Sequence, residues 1–281
     1  MRSQKDYILI VLTFAAFFVF AGRSYQFLFF DAPLRVLLWD QDLMEGPVRA
    51  LLGIDWDSYA TNYQVDYMIN FVQILIGGLF GIAALSAFFI QRHYKSFRWF
   101  IYFGVLFLLI LNALQFKDRF YQIPTFLEHI TQVVTPVLLL LYVHQRNKIE
   151  IILWTGKITI ASTFFSHGLY AIGFYPRPGK FIDLVIGTFH CSEDFAATFV
   201  LIAGWIDLAV AIAVLFRPFT RQALIYMTFW GLITAFSRVT SGVYLDFFWQ
   251  SLHQNLHLTV YRLCHGLVPF ALYMLQVKSG K

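Results

Sequence analysis

The densest collection of reactive side chains lies in HQNLHLTVYRLCHG, residues 253 to 266. His257, Tyr261 and His265 follow at steps of four, so on one continuous helix they share a face, with His253 one step before. Two imidazoles at that spacing can ligate a metal ion or a haem iron, with Glu128, His129, His190 or Glu193 to complete the shell. The stretch lacks the His-Glu-x-x-His order of a zinc hydrolase helix. A metal or haem site is therefore the lesser expectation, behind contact with a polar headgroup or proton exchange near neutral pH.

His167 poses a related problem. It sits in FFSHGLYAIGFYPRPGKF, residues 164 to 181, a segment oily enough to lie in lipid. An ionisable side chain at mid-membrane costs about 2.5 to 3.5 kcal/mol even on the lenient insertion scale, so each one needs a reason. Ten such residues form the candidate ligand-binding set: Arg23, Glu128, His129, His167, Glu193, Asp194, Arg238, His257, Arg262 and His265. All fall at the outer ends of apolar segments; Asp207, deeper, is the exception. Two readings compete. The residues line a hydrated pocket open to the outside, or they form charge pairs that join helices, such as Arg238 with Asp194 and Arg262 with Glu193.

Other chemistry finds little support. Cys191 and Cys264 are the only cysteines, without the paired thiols of a disulfide catalyst. No P-loop, dinucleotide fingerprint or Gly-x-Ser-x-Gly occurs.

The elements that must carry these groups follow from composition. Of 281 residues, 59% are hydrophobic and only 13% charged, where a soluble domain would carry roughly a quarter. Apolar runs of membrane-crossing length recur. They predict an all-α, multi-pass protein with eight spans, near 7–29, 67–90, 98–116, 126–144, 157–175, 192–216, 220–238 and 257–276. The N-terminal run continues past a signal-peptide-like start and is kept as a span. One side of the membrane then holds Arg2, Lys5, Arg92, Lys95, Arg98, Arg146, Lys148, Lys157, Arg217, Arg221, Lys278 and Lys281. The other holds Arg35, Arg49, Lys117, Arg119, Arg177 and Lys180. The basic bias puts both termini in the cytoplasm of a plasma-membrane protein. It also accounts for the net charge of +5, which shows no nucleic-acid-binding pattern.

The chain reads as a duplication. A shift of 145 lays Phe29, Pro33 and Arg35 on Phe174, Pro178 and Lys180; a shift of 126 sets LIGGLFGIA beside LIAGWIDLA; Pro136 and Pro269 lie at comparable depth. Two parallel four-helix units result, residues 1–150 and 151–281. The first carries a long outer loop, 31–65, whose Trp39 and Trp56 suit short amphipathic helices at the interface, placed to cap the outer mouth.

The His167-Gly168 pair, the acidic start at Glu193 and Asp194, Gly204, and the basic turn with Arg217 and Arg221 give residues 155–276 a resemblance to the DoxX-like family of four-helix membrane proteins. In the first half Gly22 and Arg23 stand near the place of the His-Gly. The resemblance implies a link to the small membrane subunits of quinone-linked oxidoreductases, with a membrane or periplasmic redox partner. A quinone suits aromatic walls, which 32 Phe and 15 Tyr can supply, and His or Arg near its carbonyl oxygens. The leading expectation is thus a bilayer-embedded protein whose outward pocket binds a quinone or similar lipophile. The alternatives are a permease for a small anionic solute and a non-catalytic scaffold.

Overall fold

A computed structural model describes residues 4–145 and 148–278, the side chains of 4–6 and 278 excepted. Of the topology charges, Arg2, Arg146 and Lys281 lie outside it, as do the side chains of Lys5 and Lys278. The described chain is all-helical. In order the helices are α1 Gln4–Phe29, α2 Arg35–Leu38, α3 Gln41–Leu52, α4 Trp56–Ala60, α5 Tyr63–Phe89, α6 Tyr94–Asp118 and α7 Ile123–Glu128. Then come α8 Ile130–His144, α9 Ile149–Ala171, α10 Gly179–Phe189, α11 Glu193–Ala213, α12 Thr220–Gly242, α13 Phe248–Val260 and α14 Cys264–Lys278.

Seven helical stretches are long and apolar enough to cross a membrane: Tyr7–Phe29, Tyr63–Phe89, Tyr94–Asp118, Ile123–His144, Glu193–Ala213, Thr220–Gly242 and Leu245–Val277. Their outward faces carry apolar side chains such as Phe71, Leu85, Phe103 and Ile202, which lipid would solvate. The chain has multi-pass membrane character. The remaining expected span, the fifth at 157–175, falls on α9, a full-length helix but a more polar one, with Glu150, Lys157, His167 and several hydroxyls. Its position explains the difference. It packs against α7, α8, α11 and α14, so protein rather than lipid meets most of its surface. Lys157, expected at the cytoplasmic edge of a span, is buried within α9, near Trp154 and 3.5 Å from Thr220 Oγ1.

Packing follows a simple scheme. Helix α1 lies against α5, α8, α13 and α14; α6 bridges α5 and α8; α9 lies against α7, α8, α11 and α14; and α12 leans on α10, α13 and α14. Close approach of α12 and α14 requires Gly231, where a Cβ would stand 2.4 Å from the His265 carbonyl oxygen.

The 31–65 segment does fold into short helices. Asp40 and Asp55 cap α3 and α4 by accepting from Leu43 N–H at 3.0 Å and Ser58 N–H at 2.9 Å. It packs beside α5 and α6, and none of its residues lines the cavity described below. Val48 and Tyr59 pack on Val65 and Ile69 of α5, and Asp40 pairs with Lys117 at the end of α6. The Lys117 ammonium, with the Leu43 N–H, holds the Asp40 carboxyl below the usual range. An unforeseen helix, α10, instead lies across α11 and α12.

Candidate functional site

A cavity of about 430 Å³ lies between α9, α10, α11, α12 and α14. Most of its wall is apolar and aromatic, including Phe164, Phe181, Phe199, Phe229, Trp230 and Ile233. Its polar lining falls at two levels. At one end stand His167 of α9, Arg238 near the end of α12, Arg262 in the turn between α13 and α14, and His265 at the start of α14. Eight residues back along α12 from Arg238, about 12 Å at the α-helical rise, Trp230 and Tyr226 hold Asp207. Its carboxylate accepts from Tyr226 Oη at 3.2 Å and Trp230 Nε1 at 3.3 Å.

The local fold places these groups. The backbone between α13 and α14 tightens: Arg262, Leu263, His265 and Gly266 N–H all donate three residues back, to Thr259, Val260, Arg262 and Leu263. Such turns advance about 120° per residue rather than 100°. His257 and His265 therefore do not share a helix face. His265 stands 5.9 Å from His167, centroid to centroid, and its buried Nε2 has no hydrogen-bond partner. His257 stacks on Phe30 of α1 at 4.4 Å, while His253 Nδ1 lies 2.5 Å from Tyr25 Oη. Neither His253 nor His257 lines the cavity.

Two more expected residues, Glu128 and His129, reach His167 from the neighbouring elements, and a third, Arg23, stands apart. Glu128, at the end of α7, lies 3.8 Å from His167 Nδ1 and 3.5 Å from His129 Nδ1. His129 Nδ1 also donates to the Thr125 carbonyl at 2.9 Å. Arg23 of α1 is 1% exposed and fully engaged: Nε and Nη2 donate to Gln132 Oε1 at 3.0 and 2.6 Å, and Nη1 to Gln26 Oε1 at 2.6 Å. Its guanidinium stacks 3.9 Å from the centre of the Tyr261 ring. Arg23 is a helix-joining residue rather than a cavity wall.

Glu193 and Asp194 take no part. They are exposed in the first turn of α11, where carboxylates favour the helix N-terminus. The expected pairs Arg238–Asp194 and Arg262–Glu193 do not form among the described residues, because the acids point away from the cavity. Cys191 and Cys264 are free thiols.

Asp207 lines the cavity, while Lys180 stands exposed on α10 beyond its lining. Asp207 stood out by depth alone. Lys180, on α10, read as a loop charge, yet partial burial and the guanidiniums of Arg262 and Arg238 pull its ammonium below the usual lysine range.

Chain comparison adds no second witness. No family model, curated protein or solved structure matches this chain. The chemistry must be read from the side chains. Thr234, Ser237 and Thr240 turn their hydroxyls onto the Gly231, Thr234 and Ser237 carbonyls, at 3.2, 2.8 and 3.3 Å, so these three donate to backbone rather than to a general base. No group of three or more His, Cys, Asp and Glu side chains among the described residues is placed to hold a metal ion. The polar end can bind, orient and exchange protons with a ligand's head.

Proposed function

We propose that the chain is an eight-span plasma-membrane protein of two parallel four-helix units, DoxX-like in kind, whose second unit binds a quinone or similar lipophile as part of a redox system. The observation that carries this reading is the cavity: an aromatic enclosure large enough for a drug-sized molecule, with His167, Arg238, Arg262 and His265 at one end to donate to a ligand's oxygens.

The packing supports the two-unit part. When α1, α5, α6, α7 and α8 are exchanged for α9, α11, α12, α13 and α14, contacts map onto contacts: α1 with α14 onto α9 with α8, and α1 with α13 onto α9 with α7. Gly77 of α5 meets Phe27 and Leu28 of α1 as Gly204 of α11 meets Ala171 and Ile172 of α9. These crossings agree with the sequence shifts of 126 and 145 to within one residue or so. With α9 counted as a span, both termini fall on the side richer in Lys and Arg, taken as the cytoplasm.

A permease for a small anion would use the same arginines, but toward the other face the cavity offers only Asp207 among apolar residues. A scaffold would have no need of the cavity. The deciding experiment is mass spectrometry and absorption spectroscopy of the full chain purified in mild detergent. A lipophile recovered in near-equal ratio to protein is expected. Recovery of lipophile-free protein that also fails to take up an added quinone would overturn the reading.

A further inference from the structure

The cavity holds two guanidiniums that form no ion pair among the described residues. Arg238 is 9% exposed; it donates to the Thr234 carbonyl, and its Nη1 lies 3.5 Å from Ser237 Oγ. Arg262 donates to the Leu258 carbonyl at 3.2 Å and lies 4.7 Å from the centre of the Tyr261 ring. Among the described residues neither has a carboxylate within 4.0 Å. These contacts use few of the five N–H donors that each guanidinium carries. Arg23 provides the internal contrast, since amide oxygens and a ring engage all three of its nitrogens.

One buried carboxylate faces the pair, and it is shared. Glu128 acts on Arg262 and Arg238, and on Arg119, from beyond 4.0 Å while it leans on His129 and His167, Asp207 is bound to Tyr226 and Trp230, and Asp183 is exposed on α10 beside the further cation Lys180, so a single shared acid leaves positive charge in excess. A buried charge without a partner is costly, and a neutral ligand would leave that cost in place.

The entrance is apolar. Phe229, Ile233 and Phe236 line the cavity from α12, and each is more than half exposed, at 64%, 57% and 52%. On a membrane protein such a rim opens to hydrocarbon rather than to water.

We propose that the cavity takes an anionic amphiphile from the bilayer, a carboxylate or phosphate head on a hydrocarbon chain, with the head between Arg238 and Arg262 and the chain along Phe199, Phe229 and Ile233. Guanidinium forks match carboxylate and phosphate oxygens, often two at a time. This rests on the lipophile reading above and narrows it to one charge class.

The test is a native mass-spectrometry titration of the full chain in neutral detergent with two matched pairs of probes: oleate against oleyl alcohol, and phosphatidic acid against diacylglycerol of the same chains. In at least one pair the anion should bind about tenfold or more tightly than its neutral partner, the size of one charge-assisted contact. The pair that shows the preference names the head as carboxylate or phosphate. In R238Q/R262Q the preference should vanish while the neutral probe's affinity holds; should that variant misfold, the wild-type comparison decides alone. Equal binding of anion and neutral partner in both pairs overturns the charge inference and leaves the lipophile reading standing. Failure of all four probes, and of an added quinone, to bind overturns both.

Discussion

Among individual residues, Arg23 shows how a membrane bundle can keep a charge without using it as a site. Neutral amides of α1 and α8 take its three nitrogens, and Tyr261 covers its face. A lysine supplies the charge but neither the fork nor the flat stacking surface. Arg23→Lys should therefore destabilise the protein by about 2 kcal/mol, and Arg23→Ala, which strands the Gln132 and Gln26 oxygens, by about 4 kcal/mol. SDS-induced unfolding in mixed micelles, followed by tryptophan fluorescence, measures both; an R23K midpoint equal to wild type would show that the fork does not hold α1 to α8. The sequence singled out Arg23, His167, Arg238, Arg262 and His265 because in an apolar segment any charge stands out; Arg23, Arg238 and His265 are buried, His167 and Arg262 partly so. It could not separate those lining a cavity from those joining helices, since side-chain direction depends on helix rotation. His257 and His265 illustrate the limit. Their spacing of eight implies one face only on an unbroken α-helix, and the tightened turn at Thr259–Gly266 rotates one away from the other.

For whole elements, apolar length was the legible signal, and seven of the eight expected spans fall on helical stretches long and apolar enough to cross a membrane. It read less well the elements defined by their neighbours. Helix α9 is more polar than the rest because protein surrounds it, and α10 looked like a loop because it is short and follows Pro178. Helix-to-helix distance was legible only as a scatter of glycines, whose meaning the packing divides. At Gly231 an added methyl would stand 2.4 Å from the His265 oxygen and 2.6 Å from its carbonyl carbon. Those are backbone atoms that cannot swing aside, so α12 and α14 must separate. At Gly78 of α5 nothing lies within 4 Å of the same methyl. Gly231→Ala should cost about 2 to 3 kcal/mol through overpacking, while Gly78→Ala should be neutral or add up to about 1 kcal/mol through helix propensity. Thermal unfolding of both variants in the same detergent compares them directly. Equal losses would mean that the α12–α14 crossing is slack enough to absorb a methyl.

In the molecule as a whole, the sequence shifts pointed to two similar stretches, residues 1–150 and 151–281, but could not say how the two stretches meet, because polar contacts between them join residues far apart in the chain. Arg23 reaches Tyr261, Tyr25 reaches His253, and Glu128 reaches His167. Each contact joins one half to the other, and each puts a polar group where, in a separated half, lipid or detergent would stand. Exposing Arg23, Glu128 or His129 to hydrocarbon would cost on the order of 2 to 3 kcal/mol apiece. Lipid offers no hydrophobic gain for pushing helices together, so these contacts and the packing around them must supply the association. The chain cut between residues 147 and 148 should therefore reassemble: co-expressed pieces 1–147 and 148–281, with an affinity tag on one, should co-purify in mild detergent. Either piece alone should aggregate or be degraded, and Glu128→Leu should leave the pair associated more weakly than wild type. Two pieces that each purify as stable, monodisperse proteins and ignore one another would show that the polar junction is incidental to the fold, and that the cavity wall formed by α9, α10, α11, α12 and α14 stands without help from the first half.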